Sequence, residues 1–194
     1  MTTKNAHTMN LPAGIAALLF PGAGHFFVLG QRKRGLLAAL GVLGLFFGGM
    51  FIGGIDVIDR QEDKYWFLGQ ALVGPLAFGV NYLHQNNYKA YDIPPPIIEI
   101  ERATAEVAGK FVKRSLYANE QRKVIKFTIV EPTGAESIRY LPVAVPAGPD
   151  NGPPAAQSIG RMNELGMLSS TLGGMLNFII ILDALFPTRR KEDT

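Results

Sequence analysis

Two long apolar runs joined by a short basic link constrain this chain more than any other feature. Residues 11–30 (LPAGIAALLFPGAGHFFVLG) contain one ionisable side chain, His25, and residues 35–55 (GLLAALGVLGLFFGGMFIGGI) contain none. Gln31, Arg32, Lys33 and Arg34 stand between them. About 20 apolar residues in a helix reach across the roughly 30 Å hydrocarbon core of a bilayer. A link this short forces its flanking helices to be antiparallel neighbours. The stretch therefore predicts a membrane hairpin, with the lipid bilayer as its first partner. The second run carries Gly44, Gly48, Gly49 and Gly53, small residues four apart that let another helix approach closely. They predict helix packing, and a homo-oligomer face is the alternative use.

Two further windows are nearly free of charge. Residues 66–83 are interrupted by Gly74-Pro75 and begin beside Tyr65 and Trp66, side chains suited to a membrane interface. Residues 165–187 are uncharged up to Asp183. The predicted architecture is an α-helical integral membrane protein with four transmembrane helices over 11–30, 35–55, 66–83 and 165–187. A polar N-terminus (1–10) precedes them, and a charged tail (188–194) follows. The first run has no small-residue cleavage site before the basic cluster, so it is expected to stay as a signal-anchor.

Between the third and fourth windows, residues 92–164 hold no run long enough to span. Pro94-Pro95-Pro96 stops any helix entering from the membrane region. Ile97, Ile100, Thr104, Val107 and Phe111 then recur at helical spacing and predict an amphipathic helix over about 97–117. Val124-Ile-Lys-Phe-Thr-Ile-Val130 alternates and is β-branched, and 138–145 repeats the pattern after a turn segment, so a β-hairpin is predicted over about 124–145. Pro142 implies an edge strand or a bulge. A lone hairpin is marginal in water, so it must pack on the helix, the membrane or a partner. Residues 146–157 read as a linker.

The net charge of +3, from 19 basic and 16 acidic residues, is too mild to argue for nucleic acid. With no cysteine, disulfides and thiolate chemistry are excluded, and three histidines do not suggest a metal site. Neither a cofactor motif nor a catalytic constellation is visible, and the chain is read as non-enzymatic.

Pro21, Gly22 and Gly24 predict a kink or local unwinding, because freed backbone groups in a membrane are satisfied by neighbouring helices. His25 lies just beyond, about 7–8 Å from Gly30 along the axis. An ionisable residue inside a span is a functional candidate by default. Asn177 and Gln70 are uncharged polar groups within spans and are expected to tie helices together. Asp183 lies near the far end of the fourth window. With four straight spans it cannot meet His25, so its expected partners are Arg60, Lys64 or Arg189. The same arrangement puts the 31–34 link on one side with the 92–164 insertion. Arg32, Lys33 and Arg34 form the densest basic cluster, so that side is predicted to be cytoplasmic at the plasma (inner) membrane.

Pro21-Gly-Ala-Gly-His-Phe-Phe27, then Leu29-Gly30 and Gly35, resembles the two-transmembrane-helix (TM-two) domain over about forty-five residues. Val28 stands where that family favours Tyr after Phe, and the link is unusually basic. The layout, with Glu164-Leu165-Gly166, Leu176-Asn177 and Leu182-Asp183-Ala184 in the last window, also resembles a family of uncharacterised bacterial membrane proteins. The resemblance implies location and helix packing and carries no catalytic residues. The leading reading is a small membrane accessory or scaffold protein, acting on a membrane or cytoplasmic protein partner through its insertion. The alternative is an oligomeric small-solute or ion conduit using His25, Asn177 and Asp183.

Overall fold

The computed structural model describes residues 9–117, 119–148 and 161–187. The polar lead through residue 8, most of the predicted linker and the charged tail lie outside the described residues. The chain forms two compact units, residues 1–81 with 159–194, and residues 82–158. The first unit is helical: α1 (Leu11–Leu19), α2 (Arg32–Gly53), α3 (Lys64–Gln70), α4 (Pro75–Leu83) and α7 (Met162–Leu185). The last is numbered after two short helices of the inserted unit, α5 (Pro95–Ile100) and α6 (Ala105–Ala108).

The four-span architecture is not what forms. Among the described residues only α2 and α7 are long and apolar enough to cross a membrane. Their 22 and 24 residues give roughly 33 and 36 Å. They pack antiparallel through glycines. A Cβ at Gly49 would run into the Gly166 carbonyl, one at Gly53 would crowd Asn163, and one at Gly173 would crowd the Val42 carbonyl.

The first apolar window folds back on itself. Asn10 caps α1, its Oδ1 accepting from Ala13 N–H at 3.2 Å, and Asn10 N–H donates to the Leu185 carbonyl at 2.7 Å. From there α1 runs against α7 toward its middle for only nine residues. Pro21 cannot continue a hydrogen-bonded helix, and Gly22 turns the chain at φ +79°, a conformation open to glycine. The chain returns as a π-helical turn, Gly24–Val28, with Gly24 against the Ala13 carbonyl. Residues 11–30 are therefore a short helical hairpin that enters and leaves at the same end of the unit, where a straight span was expected.

The window 66–83 does the same from the other end. Helix α3 runs alongside the first half of α7, with Thr171 Oγ1 donating to the Trp66 carbonyl at 3.4 Å. A 3-10 turn, Ala71–Val73, and Gly74 at φ +100° reverse the chain into α4. Phe67 and Phe78 then meet edge to face at 5.4 Å, and Arg60 N–H donates to Asn81 Oδ1 at 2.9 Å, back where the hairpin began. Val42, Phe46, Val57, Ile58, Phe67, Val73, Ala77 and Val80 form the main core, joining both long helices to this second hairpin.

The inserted unit is a five-stranded sheet, where only a hairpin was expected. Its strands are β1 (Lys89–Asp92), β2 (Arg102–Thr104), β3 (Val112–Ser115), β4 (Glu120–Val130) and β5 (Glu136–Pro146), in the order β2-β4-β5-β1-β3. β4 and β5 pair antiparallel from Glu120–Pro146 to Val130–Glu136, closed by a turn with Gly134 at φ +82°. β2 lies parallel to β4 and β1 parallel to β5, while β3 is antiparallel to β1. Ile93, Ile125, Phe127 and Val143 form its core, with Ile97, Ile98 and Phe111 packed on them.

The amphipathic helix predicted over 97–117 is broken into α5, β2, α6 and β3. Glu101 takes a left-handed conformation at φ 52° and ends α5, and the Thr104 side chain caps α6. Of the residues at helical spacing, Ile97 and Phe111 reach one core from separate elements, while Ile100 is exposed. Pro142 lies in β5, an interior strand, opposite Val124.

Candidate functional site

The Pro21–His25 turn creates the most concentrated polar site of the helical unit. Gly22 lets the turn press on α2, since a Cβ there would strike the Gly35 carbonyl. Gly24 lets the returning segment press on α1. That return carries His25 back to the end of the unit where α7 finishes. His25 Nε2 lies 2.7 Å from Asp183 Oδ2, and a guanidinium nitrogen of Arg34, from the first turn of α2, lies 2.6 Å from the same oxygen. Arg34 also donates to Gln31 Oε1 at 3.4 Å. The expectation that His25 and Asp183 cannot meet is thus corrected, and neither Arg60 nor Lys64 holds the carboxylate. The predicted partner Arg189 lies outside the described residues.

The three groups differ in exposure, and this decides what each does. The His25 side chain is 2% exposed, Asp183 28% and Arg34 52%. His25 Nδ1 is buried without a partner among the described residues. Removing Asp183 would leave a fully buried imidazole with no partner, whereas Arg34 can turn to solvent. The triad therefore pins the returning segment of the first hairpin to α7, with Arg34 as its outer, weaker limb.

Asn177 marks the level where the two hairpins meet. It is fully buried, and its Nδ2 donates to the Leu72 carbonyl at 2.8 Å and the Ala17 carbonyl at 3.4 Å. One side chain of α7 thus holds the apex of each hairpin. Backbone carbonyls freed where a helix breaks need donors away from water, and Asn177 supplies them. Gln70 does the same nearby, donating to the Val57 carbonyl at 2.8 Å and to Ser170 Oγ at 2.9 Å. Gly74 lies against the Leu18 carbonyl, and the two apices line a shallow apolar cavity of about 410 Å³ with Leu19, Ala71, Pro75 and Phe78.

The other singled-out residues divide by contact. Gly49 and Gly53 pack on α7, while Gly44 and Gly48 meet nothing within 4 Å. Gly30 stands at φ +71° in open space and lets the chain enter α2. Arg32, Lys33 and Arg34 open α2 at the end of the unit that carries Asn10 and Asp183. Gly53 and Asn81 lie at the opposite end of this unit.

Sequence reasoning missed the partners of these groups: Arg34, the Ala17 and Leu72 carbonyls, Gly35 and Ser170. The breaks at Pro21 and Gly74-Pro75 are visible in the sequence, but a break alone does not tell a kink from a turn back.

In the inserted unit the tightest charge cluster is Arg114. It donates to both Glu120 carboxylate oxygens at 2.7 Å, reaches Asp92 at 3.2 Å, and stacks over the Tyr117 ring at 4.3 Å. The Arg114 hydrogen bonds hold the Glu120 carboxyl below its ordinary value, against the opposing effect of burial. Glu120 also accepts from Tyr117 N–H at 3.0 Å. The cluster fastens the start of β4 to β3 and β1.

A family model described as a family of unknown function (DUF6677) matches residues 12–193, covering both units. No curated protein and no solved structure matches the chain.

Proposed function

Because the chain belongs to this family of unknown function, we propose its role from the geometry: a non-enzymatic membrane adaptor that carries a folded recognition domain. The helical unit is the anchor. Its α2 and α7 cross the bilayer, and the hairpins 11–30 and 64–83 are re-entrant, each dipping halfway from opposite faces. The observation that carries this reading is the outward apolar surface of the long helices. Only 22% of the apolar window of α2 and 39% of that of α7 is buried. Leu37, Leu40, Phe51, Met175 and Ile179 are all more than half exposed. An apolar surface this continuous calls for lipid. Irregular backbone at membrane depth is tolerated where protein covers it, and Asn177 gives the hairpin apices that cover.

Charge then favours one orientation. Arg32, Lys33 and Arg34 begin α2 at the same end where α7 finishes, and Arg189, Arg190 and Lys191 follow α7 closely in sequence. Near the other end stand Arg60, Lys64 and Arg161. The positive-inside tendency makes the link end cytoplasmic, which puts the insertion on the far face of the inner membrane, opposite to the side expected for four spans. His25 Nε2 is held by Asp183 and Asn177 Nδ2 by two backbone carbonyls, which supports packing roles over solute binding.

Replacing residues 82–158 by a short Gly/Ser linker tests the division of labour. The shortened chain is expected to resist alkaline extraction from membranes, as the parent does, and to lose the partner that the parent retains on cross-linking in mild detergent. Release of both chains at alkaline pH would refute the anchor, and retention of the partner by the shortened chain would refute the adaptor.

A further inference from the structure

One of the two long strands of the inserted unit is only partly covered at its edge. β4 runs from Glu120 to Val130, but its neighbour β2 pairs with it only at Thr128, Ile129 and Val130. Thr128 N–H points away from β5, donating to the Glu101 carbonyl at 2.9 Å. Backbone groups in an antiparallel ladder alternate in direction. The N–H and C=O groups of Arg122, Val124 and Lys126 therefore point the same way, to the uncovered side. Pro142, which has no N–H to give, stands opposite Val124, as this parity requires. No other described residue takes up these groups, and they extend over roughly 14 Å.

The side chains along this edge have one sign. Arg122, Lys123 and Lys126 are exposed and make no ion pair among the described residues, while the neighbouring acids Glu120 and Glu136 are committed to Arg114 and Arg102. Lysines on an edge discourage pairing with a second copy, because like charges would face each other. The same charges favour an acidic strand. Val124, at 54% exposure, and Tyr140, at 69%, share the outer face with Arg122 and Lys126, Tyr140 lying directly opposite Lys126, while Lys123 stands on the other face. An anionic lipid surface fits less well, since lipid-binding clusters usually gather four to eight cations, and it has no use for a strand edge.

We infer that the open edge of β4, from Arg122 to Lys126, is a β-augmentation site for an extended acidic segment of a partner protein. Backbone hydrogen bonds supply the affinity, and alternate acidic and apolar side chains the selectivity. The inference rests on the adaptor reading for the existence of a partner.

The test uses the full chain in detergent micelles and a fluorescein-labelled octapeptide of alternating Glu and Val, read by anisotropy. Binding is expected to weaken at least tenfold in Lys123→Glu/Lys126→Glu. It is expected to be lost in Val124→Pro, which removes an outward N–H and no internal bond. It is also expected to be lost when alternate peptide nitrogens are methylated. Equal binding of the methylated peptide, or of a Lys–Val peptide, would overturn the inference. So would phosphatidylglycerol vesicles that displace the peptide and bind Val124→Pro as well as the parent. Failure of the peptide while excision of 82–158 still releases a partner removes only this edge. Peptide binding with no partner lost on excision removes the adaptor reading instead.

Discussion

Asp183→Ala is the most informative single perturbation of the helical unit. It strips His25 Nε2 of its acceptor at 2.7 Å and Arg34 of its ion pair at 2.6 Å. The two losses differ in kind. His25 is buried, so its imidazole keeps the desolvation cost of an unpartnered polar group, about 1–3 kcal/mol. The Arg34 side chain is 52% exposed, and the loss of such a pair is worth at most about 1 kcal/mol. Asp183→Ala should therefore cost about 1–4 kcal/mol, His25→Phe about 1–3 and Arg34→Gln under about 1. Equilibrium unfolding in mixed detergent–SDS micelles reads each value. A double-mutant cycle should give a His25–Asp183 coupling larger than the Arg34–Asp183 coupling. If Arg34→Gln costs as much as Asp183→Ala, or if the His25–Asp183 coupling is zero, the buried pin is not what holds the hairpin.

The glycines make a paired prediction: Gly49→Ala and Gly22→Ala should each destabilise by more than about 2 kcal/mol, since both Cβ atoms strike backbone carbonyls, whereas Gly44→Ala and Gly48→Ala should be neutral or mildly stabilising. The same micelle unfolding assay separates them. Asn177→Leu keeps the volume of the side chain but leaves the Leu72 and Ala17 carbonyls without their donor. It should cost about 1–3 kcal/mol and increase hydrogen exchange at the residues flanking both hairpin apices. In the inserted unit, Glu120 has a folded-state pKa below its unfolded value because of Arg114. Its stabilisation is present above the ordinary carboxylate range and fades as pH falls through the folded value. The Arg114 and Glu120 side chains are 21% and 18% exposed, so solvent still screens the pair in part, and the effect should stay at about 1 kcal/mol. Glu120→Gln should flatten that part of the acid-unfolding curve of the insertion, and an unchanged curve would refute the assignment.

The apolar windows, the β-hairpin and the two glycine–proline breaks can be read from residues alone. Alternation in 124–130 leads to a strand because a two-residue period admits few other solutions. Breaks at Pro21 and Gly74 are equally visible, because proline and glycine act locally. The direction of the chain after a break is not local. A kinked span and a doubled-back hairpin share the same sequence signal, and tertiary contacts decide between them. Here the deciding contacts are Gly24 on the Ala13 carbonyl, Gly22 on the Gly35 carbonyl and His25 on Asp183. Two windows that turn back where spans were expected change what depends on parity: 11–30 brings His25 to Asp183, and 66–83 bears on the side proposed for the insertion. The region 97–117 failed differently. Its apolar spacing was real, since Ile97 and Phe111 reach one core, but the left-handed Glu101 converts one predicted helix into several short pieces.

Side-specific labelling tests the doubled-back window 66–83 most directly. The chain has no cysteine, so Lys33→Cys and Ser137→Cys each report without background. With 66–83 entering and leaving the membrane on one face, α2 is the one crossing between the two positions, so an impermeant maleimide should label Ser137→Cys in intact spheroplasts, and Lys33→Cys only after the membrane is opened. Labelling of both positions from the same face would mean that residues 66–83 cross the bilayer, and would contradict the re-entrant arrangement.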